Sequence, residues 1–178
     1  MSAAMHTIRP AKPADIALLS ALGGRTFVET FVDGFGIPYP QTDLDIFIDE
    51  AFSEFSIAEA LTDPDQTWWV AVDEAGVIGG FANIGPCSLP HADASKANGE
   101  LKRLYIGKEA QGLGLGTKLL ETALAAMADR FRGSEWIGVW SGNDKAMRLY
   151  GHYGFKPVGE YKFPVGTWLD DEFILRRG

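Results

Sequence analysis

The stretch Gln111-Gly112-Leu113-Gly114-Leu115-Gly116 decides how this chain is read, because it sits between an apolar, strand-like run from Leu101 to Ile106 and a helix-like run from Thr117 to Phe131. Strand, glycine loop and helix in succession make an anion cradle. Glycines let backbone N–H groups approach a phosphate closely, and the helix adds its unsatisfied N-terminal donors and the positive end of its dipole. A Walker A loop ends in Gly-Lys-Ser/Thr, whereas the order here is Gly116-Thr117-Lys118, which displaces the lysine from a terminal phosphate. A dinucleotide fingerprint needs G-x-G-x-x-G near the first strand of a βαβ unit. This loop is G-x-G-x-G, lies past the middle of the chain and has Thr117 where the third glycine belongs. Both nucleotide motifs fit poorly, leaving a pyrophosphate site of another kind or a glycine-rich turn with no ligand.

Downstream, the strand-like Glu135-Trp136-Ile137-Gly138-Val139-Trp140 leads to Asn143-Asp144-Lys145-Ala146-Met147-Arg148-Leu149-Tyr150 and then Tyr153-Gly154-Phe155. The Q-x-x-G-x-G pattern of Gln111, Gly114 and Gly116, followed by an asparagine and alanine, Leu-Tyr and Gly-Phe, resembles the two signatures of the GNAT superfamily of N-acetyltransferases, which bind acetyl-coenzyme A. Two loose patterns in the right order are far more specific than either alone. The resemblance runs from about Thr7 to Arg177 and is most diagnostic from Glu100 to Phe155. It implies an α/β fold of the α+β kind, a mixed sheet whose central strands splay to admit the cofactor. Phe27-Val28-Glu29-Thr30-Phe31, the strand from Glu100 to Ile106 and the segment from Val158 to Gly166 are also similar to acetyltransferases described as polyamine-acetylating.

Length and composition are those of one globular domain spanning 1–178. The 178 residues are 46% hydrophobic and 12% aromatic, and no apolar run reaches the roughly 20 residues of a membrane span. The amino terminus lacks the basic and apolar regions of a secretory signal, which favours a cytoplasmic protein. Cys87 is the only cysteine and His6, His91 and His152 are scattered, so no metal site is expected. Cys87 as an acyl-transfer nucleophile lacks a histidine in any partner motif, which leaves direct transfer as the better chemistry. A net charge of −8 argues against nucleic acid and suits a cationic small substrate, although acidity also serves solubility.

Periodicity gives the order β, two or three helices, β, β, β, α, β, α, β, β. A first strand is expected around Thr7-Ile8-Arg9, and a helix from Pro13 with Ile16, Leu19 and Leu22 on one face, ended by Gly23-Gly24. A second helical pattern carries Leu44, Phe47, Ile48 and Phe52, and Ser56 to Glu59 reads as a capping box opening a third. Trp68 to Val72 and Val77 to Ile84 read as a hairpin, Gly85 to Asn98 as a surface loop, and Glu100 to Ile106 as the strand entering the glycine loop. A helix over Thr117 to Phe131, a strand over Glu135 to Trp140, a helix over Asn143 to His152 and strands near Lys156 to Phe163 and Trp168 to Arg176 complete the chain.

Amine acetylation meets a protonation problem. An alkylammonium with pKa near 10.4 is neutral to about one part in 10³ at neutral pH, a deficit of roughly 4 kcal/mol. The resemblance implies Glu100 as the base, directly or through water, the alternative being a strand-end carboxylate paired with Lys102 or Arg103. It implies Tyr150 as the general acid for the departing thiolate, the alternative being a core tyrosine. It assigns Leu104, Tyr105 and Ile106 to the pantetheine arm through main chain, a backbone N–H near Tyr105 or Ile106 also meeting charge on the thioester oxygen. Gln111, Gly112, Leu113, Gly114, Leu115, Gly116 and Thr117 take the pyrophosphate, Asn143 bonds the arm or caps its helix, and Ala146 leaves room. Glu29, Asp33, Asp43, Asp45 and Asp170-Asp171-Glu172 are candidates to collect cations, with Phe31, Tyr39 and Phe163 packing methylenes.

The expected function is transfer of acetyl from acetyl-coenzyme A to a primary amine, polyamines included. The alternatives are a protein N-terminus, an amino acid or an aminoglycoside as acceptor, or a non-catalytic coenzyme A-binding regulatory module. GNAT proteins often form dimers, which makes a homodimer a further expectation of the resemblance.

Overall fold

The computed structural model describes residues 5–178. The β-branched and aromatic runs form β1 (Thr7–Pro10), β2 (Thr67–Val72), β3 (Ile78–Pro86), β4 (Gly99–Ile106), β5 (Glu135–Trp140), β6 (Lys156–Val165) and β7 (Trp168–Arg177). These build a seven-stranded sheet in the order β1-β2-β3-β4-β5-β7-β6. All neighbours are antiparallel except β4 and β5, which run parallel and pair only over Gly99↔Glu135, Glu100↔Trp136 and Leu101↔Ile137. Past Leu101 the two strands part. On its other edge β4 slips register at the same point, with Asn83 opposite Arg103 but Ile84 opposite Leu101, so Lys102 is bulged. A bulge bends its strand and increases local twist, which is the physical reason β4 leaves β5 here. The mixed α/β architecture and its central splay are those the resemblance implied.

Helices cover both faces. On one lie α4 (Leu115–Arg130) and α5 (Asp144–His152), where Leu119, Leu120, Ala123 and Met127 interdigitate with Ile84, Leu101, Ile137 and Leu175. On the other lie α1 (Ile16–Phe27), α2 (Gln41–Phe52) and α3 (Glu54–Thr62), whose Leu19, Leu22, Phe27, Phe52 and Ile57 pack on Trp68, Val70 and Phe81. A smaller cluster of Cys87, Leu89, Trp136 and Ile174 closes the β4–β5–β7 end.

Several local expectations need correction. The pair Gly23-Gly24 does not end α1, which runs on through Phe27 into a π-helical segment, Val28–Gly34. Gly23 is there for packing, since a Cβ on it would stand 2.3 Å from Phe52 Cδ1. The cap of α3 is Ser53, whose Oγ accepts from the Ser56 N–H at 3.2 Å, because α2 ends at Phe52 and the next helix begins at once. α4 starts at Leu115, with Gly114 as its cap, rather than at Thr117, because Leu115 is buried and anchors the first turn. The segment Gly85–Asn98 is not wholly surface: β3 continues to Pro86, and Cys87 and Leu89 are buried against Trp136.

Candidate active site

The parting of β4 and β5 opens a cleft of about 960 Å³ that reaches from the glycine loop to the far ends of β6 and β7. Its floor is the unpaired edge of β4: Leu104, Tyr105 and Ile106 pair with Ala82, Phe81 and Gly80 of β3 on one side and with no strand on the other. An extended ligand can complete that edge as an added strand does.

The loop Gln111–Thr117 lies at one end. Gly112 and Gly114 adopt φ of 81° and 74°, and a Cβ on either would meet nothing within 4 Å, so the glycines shape a turn facing open space. Among the described residues no hydrogen-bond acceptor meets the N–H groups from Gly112 to Thr117; the first backbone bond is Lys118 N–H to Gly114 O at 3.2 Å. These donors, gathered at a helix N-terminus, fit a diphosphate. Gln111 ties the loop down, its Nε2 donating to Ile106 O at 3.3 Å. Lys108 and Lys145 line the same cleft. Asn143 caps α5, its Oδ1 accepting from the Ala146 N–H at 3.0 Å.

A model of the "Acetyltransferase (GNAT) family" matches residues 25–155. The chain belongs to the GNAT acetyltransferase family. It is an N-acetyltransferase dependent on acetyl-coenzyme A. It is 25% identical over 150 residues to a Lactobacillus delbrueckii subsp. lactis protein named as an N-acetyltransferase, covering 84% of this chain and 86% of that one. Over a shorter span, 91 residues, it is 33% identical to the spermine/spermidine N(1)-acetyltransferase of Bacillus subtilis, covering 49% of this chain and 59% of the relative. Among solved structures, the PaiA N-acetyltransferase of Thermoplasma acidophilum in complex with coenzyme A superposes with a TM-score of 0.72 over 97% of this chain and 98% of that one, at 19% identity, a likeness of fold.

In this GNAT framework Tyr150 sits on α5, buried, with its ring edge-on to Phe155 and its flank on the cleft. Burial pushes its hydroxyl up from the ordinary tyrosine range. Its OH makes no hydrogen bond among the described residues. Tyr105, half-buried on the cleft floor, is pushed up to about 12 by burial.

Glu100 lines the opposite wall, buried and already engaged. Its Oε2 accepts from Ser88 N–H at 2.8 Å, from Ser88 Oγ at 3.2 Å and from Lys102 Nζ at 3.1 Å. The pairing with Lys102 that the sequence offered as the alternative for Glu100 is therefore present.

The structure also sorts the acidic residues. Asp43 accepts from Thr167 N–H at 2.6 Å and from its Oγ1 at 2.9 Å, tying α2 to the β6–β7 turn. Asp45 holds Gln41, and Asp171 pairs with Lys162 in solvent. Asp170 accepts from Tyr39 OH and from Trp168 Nε1, so Tyr39 serves as its donor and stacks on Phe27 instead of packing a substrate chain. Glu29, Asp33 and Glu172 remain with Phe31 and Phe163 on the cleft wall. Glu29 bridges to Arg25 through Oε1 at 3.7 Å, while its buried Oε2 meets no donor among the described residues.

Glu172, one of the acidic candidates to collect cations, is set apart from the others by its surroundings. It accepts a 2.6 Å hydrogen bond from Tyr161 OH and is pushed up to about 7, chiefly by burial and further by Asp170 and Glu100, against the lowering effect of Tyr161. Its alternation with Asp170 and Ile174 along β7 was readable, but not the strand's placement beside the splay.

Among the described residues no group of three or more His, Cys, Asp or Glu side chains is placed to hold a metal ion. Nor is any helix among them long and apolar enough to cross a membrane.

Proposed function

We propose that this GNAT enzyme acetylates a primary amine of a small cationic acceptor by direct attack, with polyamines the acceptor class favoured. The observation that carries the reading is the splay of β4 from β5 beside a loop of unaccepted amides. Acetyl-coenzyme A, when bound, supplies an activated thioester. The amides from Gly112 to Thr117 hold its diphosphate, with Gln111 securing the loop, Lys108 and Lys145 add positive charge, and the free edge of Leu104, Tyr105 and Ile106 holds the pantetheine arm. Asn143 uses only Oδ1 as a cap, which leaves its Nδ2 donors for the arm, and the small Ala146 leaves space beside it.

A backbone N–H at Tyr105 or Ile106 meets the charge that develops on the thioester oxygen. Tyr150 keeps its proton at neutral pH because burial disfavours its anion, and gives it to the departing sulfur. Glu100 acts on the amine through water, since its Oε2 is already engaged by Ser88 and Lys102.

The acceptor class rests on the wall opposite Tyr150, where Glu29, Asp33 and Glu172 stand among Phe31 and Phe163. Carboxylates beside aromatic rings suit ammonium groups joined by methylenes. The partial likeness to the Bacillus subtilis spermine/spermidine enzyme points the same way. A thiol-release screen over spermidine, spermine, amino acids, peptides and aminoglycosides tests it. Turnover highest with the polyamines is the expected result, and preference for a peptide or an aminoglycoside overturns the acceptor class. Thermal stabilisation by acetyl-coenzyme A with no thiol release on any amine identifies a regulatory module instead.

A further inference from the structure

From the side chains gathered where β4 and β5 separate, we infer that Glu172, held by the Tyr161 hydroxyl, is the catalytic base that takes the proton of the acceptor ammonium. This rests on the acetyltransfer reading above and gives the role of base, there assigned to Glu100 through water, to a residue on β7, leaving Glu100 to set the charge around it.

Position comes first. β5 pairs with β4 as far as Ile137, so Gly138 is the first residue of β5 to face the opening. A Cβ on Gly138 would stand 2.6 Å from Tyr161 Oη and 3.2 Å from Glu172 Oε2. The Tyr161–Glu172 pair therefore lies directly over the point of separation, in space that only a glycine at 138 leaves free. Glu172 and Tyr161 both line the cleft. Tyr150 lies on α5 and Tyr105 on the β4 floor of the same cleft. An amine entering from the Glu172 side meets a thioester whose sulfur faces Tyr150.

Chemistry distinguishes the carboxylates near the opening. Asp170 is committed to Tyr39 and Trp168, and Glu100 to Ser88 and Lys102. Glu172 has one donor, Tyr161, on Oε2, and its Oε1 accepts no hydrogen bond among the described residues. The charged and titratable groups around it are Tyr161 on β6, Asp170 on its own strand, Glu100 and Tyr105 on β4, and Tyr39 before α2. The cations of this region are already engaged, Lys102 by Glu100, Lys162 of β6 by Asp171, and Arg103 over the rings of Phe52 and Trp68. In that acidic and partly desolvated setting Glu172 is pushed up to about 7, where about half of a base is ionised at neutral pH and it is still basic enough to be useful.

In the step itself an N–H bond of the ammonium breaks with its electron pair left on nitrogen, and the proton passes to Glu172. That pair forms the C–N bond as the C–S bond breaks. The second nitrogen proton, released as the amide forms, passes through solvent to restore the Tyr150 hydroxyl that protonated the sulfur. Glu172 then returns its proton to solvent.

The test combines turnover with titration of Glu172 by NMR of side-chain-labelled glutamate, over a pH range, in the full chain. In E172Q, kcat at pH 7 falls about 10²-fold while acetyl-coenzyme A affinity is unchanged, and a carboxyl signal titrating near 7 disappears. Y161F removes a donor that favours the carboxylate, so the acid limb of kcat/KM moves to higher pH; E100Q removes a like charge and moves it lower. G138A, which presses a methyl on the pair, also displaces the limb and serves where E172Q folds poorly. Wild-type kcat and pH profile in E172Q, or a Glu172 signal in the ordinary carboxylate range, overturns the assignment to Glu172 alone. Absence of thiol release with any amine, while the signal still titrates near 7, overturns the acetyltransfer reading and this one with it.

Discussion

The wall of the cleft that carries the glycine loop is built mostly from main chain, whereas the wall opposite is built from side chains. On the first, open amides from Gly112 to Thr117 and the free edge of β4 are the groups presented to the cleft, and the side chains chiefly hold them in place, as Gln111 does for the loop and Leu115 for the first turn of α4. On the second, Glu29 and Asp33 come from the π-helical continuation of α1, Phe163 and Tyr161 from β6 and Glu172 from β7. Main-chain recognition suits a ligand that never changes, and side-chain recognition suits an acceptor that differs from one relative to the next.

Substitutions that separate the two walls sharpen this contrast. Tyr150 stands at their meeting point, so Tyr150→Phe should lower kcat by about 10² to 10³-fold while leaving acetyl-coenzyme A affinity intact by calorimetry; unchanged turnover removes its role as acid. On the main-chain wall, Gly114→Val forces a β-branched residue into φ of 74° and tilts the amides, with about a 10²-fold weaker affinity for coenzyme A expected by calorimetry. Equal weakening by Leu113→Ala, which leaves the backbone intact, would break the distinction drawn here.

On the side-chain wall and in the helix packing behind it, the expected changes are in stability and in acceptor binding. Gly23→Ala drives a methyl into Phe52, 2.3 Å away, and should destabilise by about 1–3 kcal/mol in urea unfolding despite alanine's better helix propensity. Glu172 titrates higher in the native state than its ordinary 4.5, so the folded protein binds its proton more tightly than the unfolded chain does. The associated stability is complete below about pH 4.5 and is lost as pH rises through about 7. Glu172→Gln should therefore raise stability at pH 8 by about 1–2 kcal/mol relative to its effect at pH 4, read from the pH dependence of Tm. The smallest change is Glu29→Gln, which should raise the acceptor KM by about threefold, in line with a weak and partly exposed charge contact, and leave coenzyme A binding alone.

The same contrast explains how much was legible in the residues. The succession of elements along the chain and the β5 and α5 boundaries followed from periodicity and from the Asn143 cap, because those signals are local. The loop was legible because positive φ at Gly112 and Gly114 demands glycine wherever the rest of the chain lies. Where glycines served packing instead, as at Gly23, the local rule misled, since the partner Phe52 lies on another helix. Among the acidic residues, nothing local told Asp43, which ties a turn, from Glu172, which faces the opening.

The sequence by itself determined the glycine cradle, the helix that follows it and the succession of strands, since each is set by backbone conformation and short-range pattern. Only the tertiary structure decided that β4 leaves β5 at the Lys102 bulge and that Gly138 makes room there for Tyr161 and Glu172. The ionisation of a carboxyl depends on what burial and neighbouring charge surround it, and those neighbours are brought together from β4, β6 and β7 by folding alone.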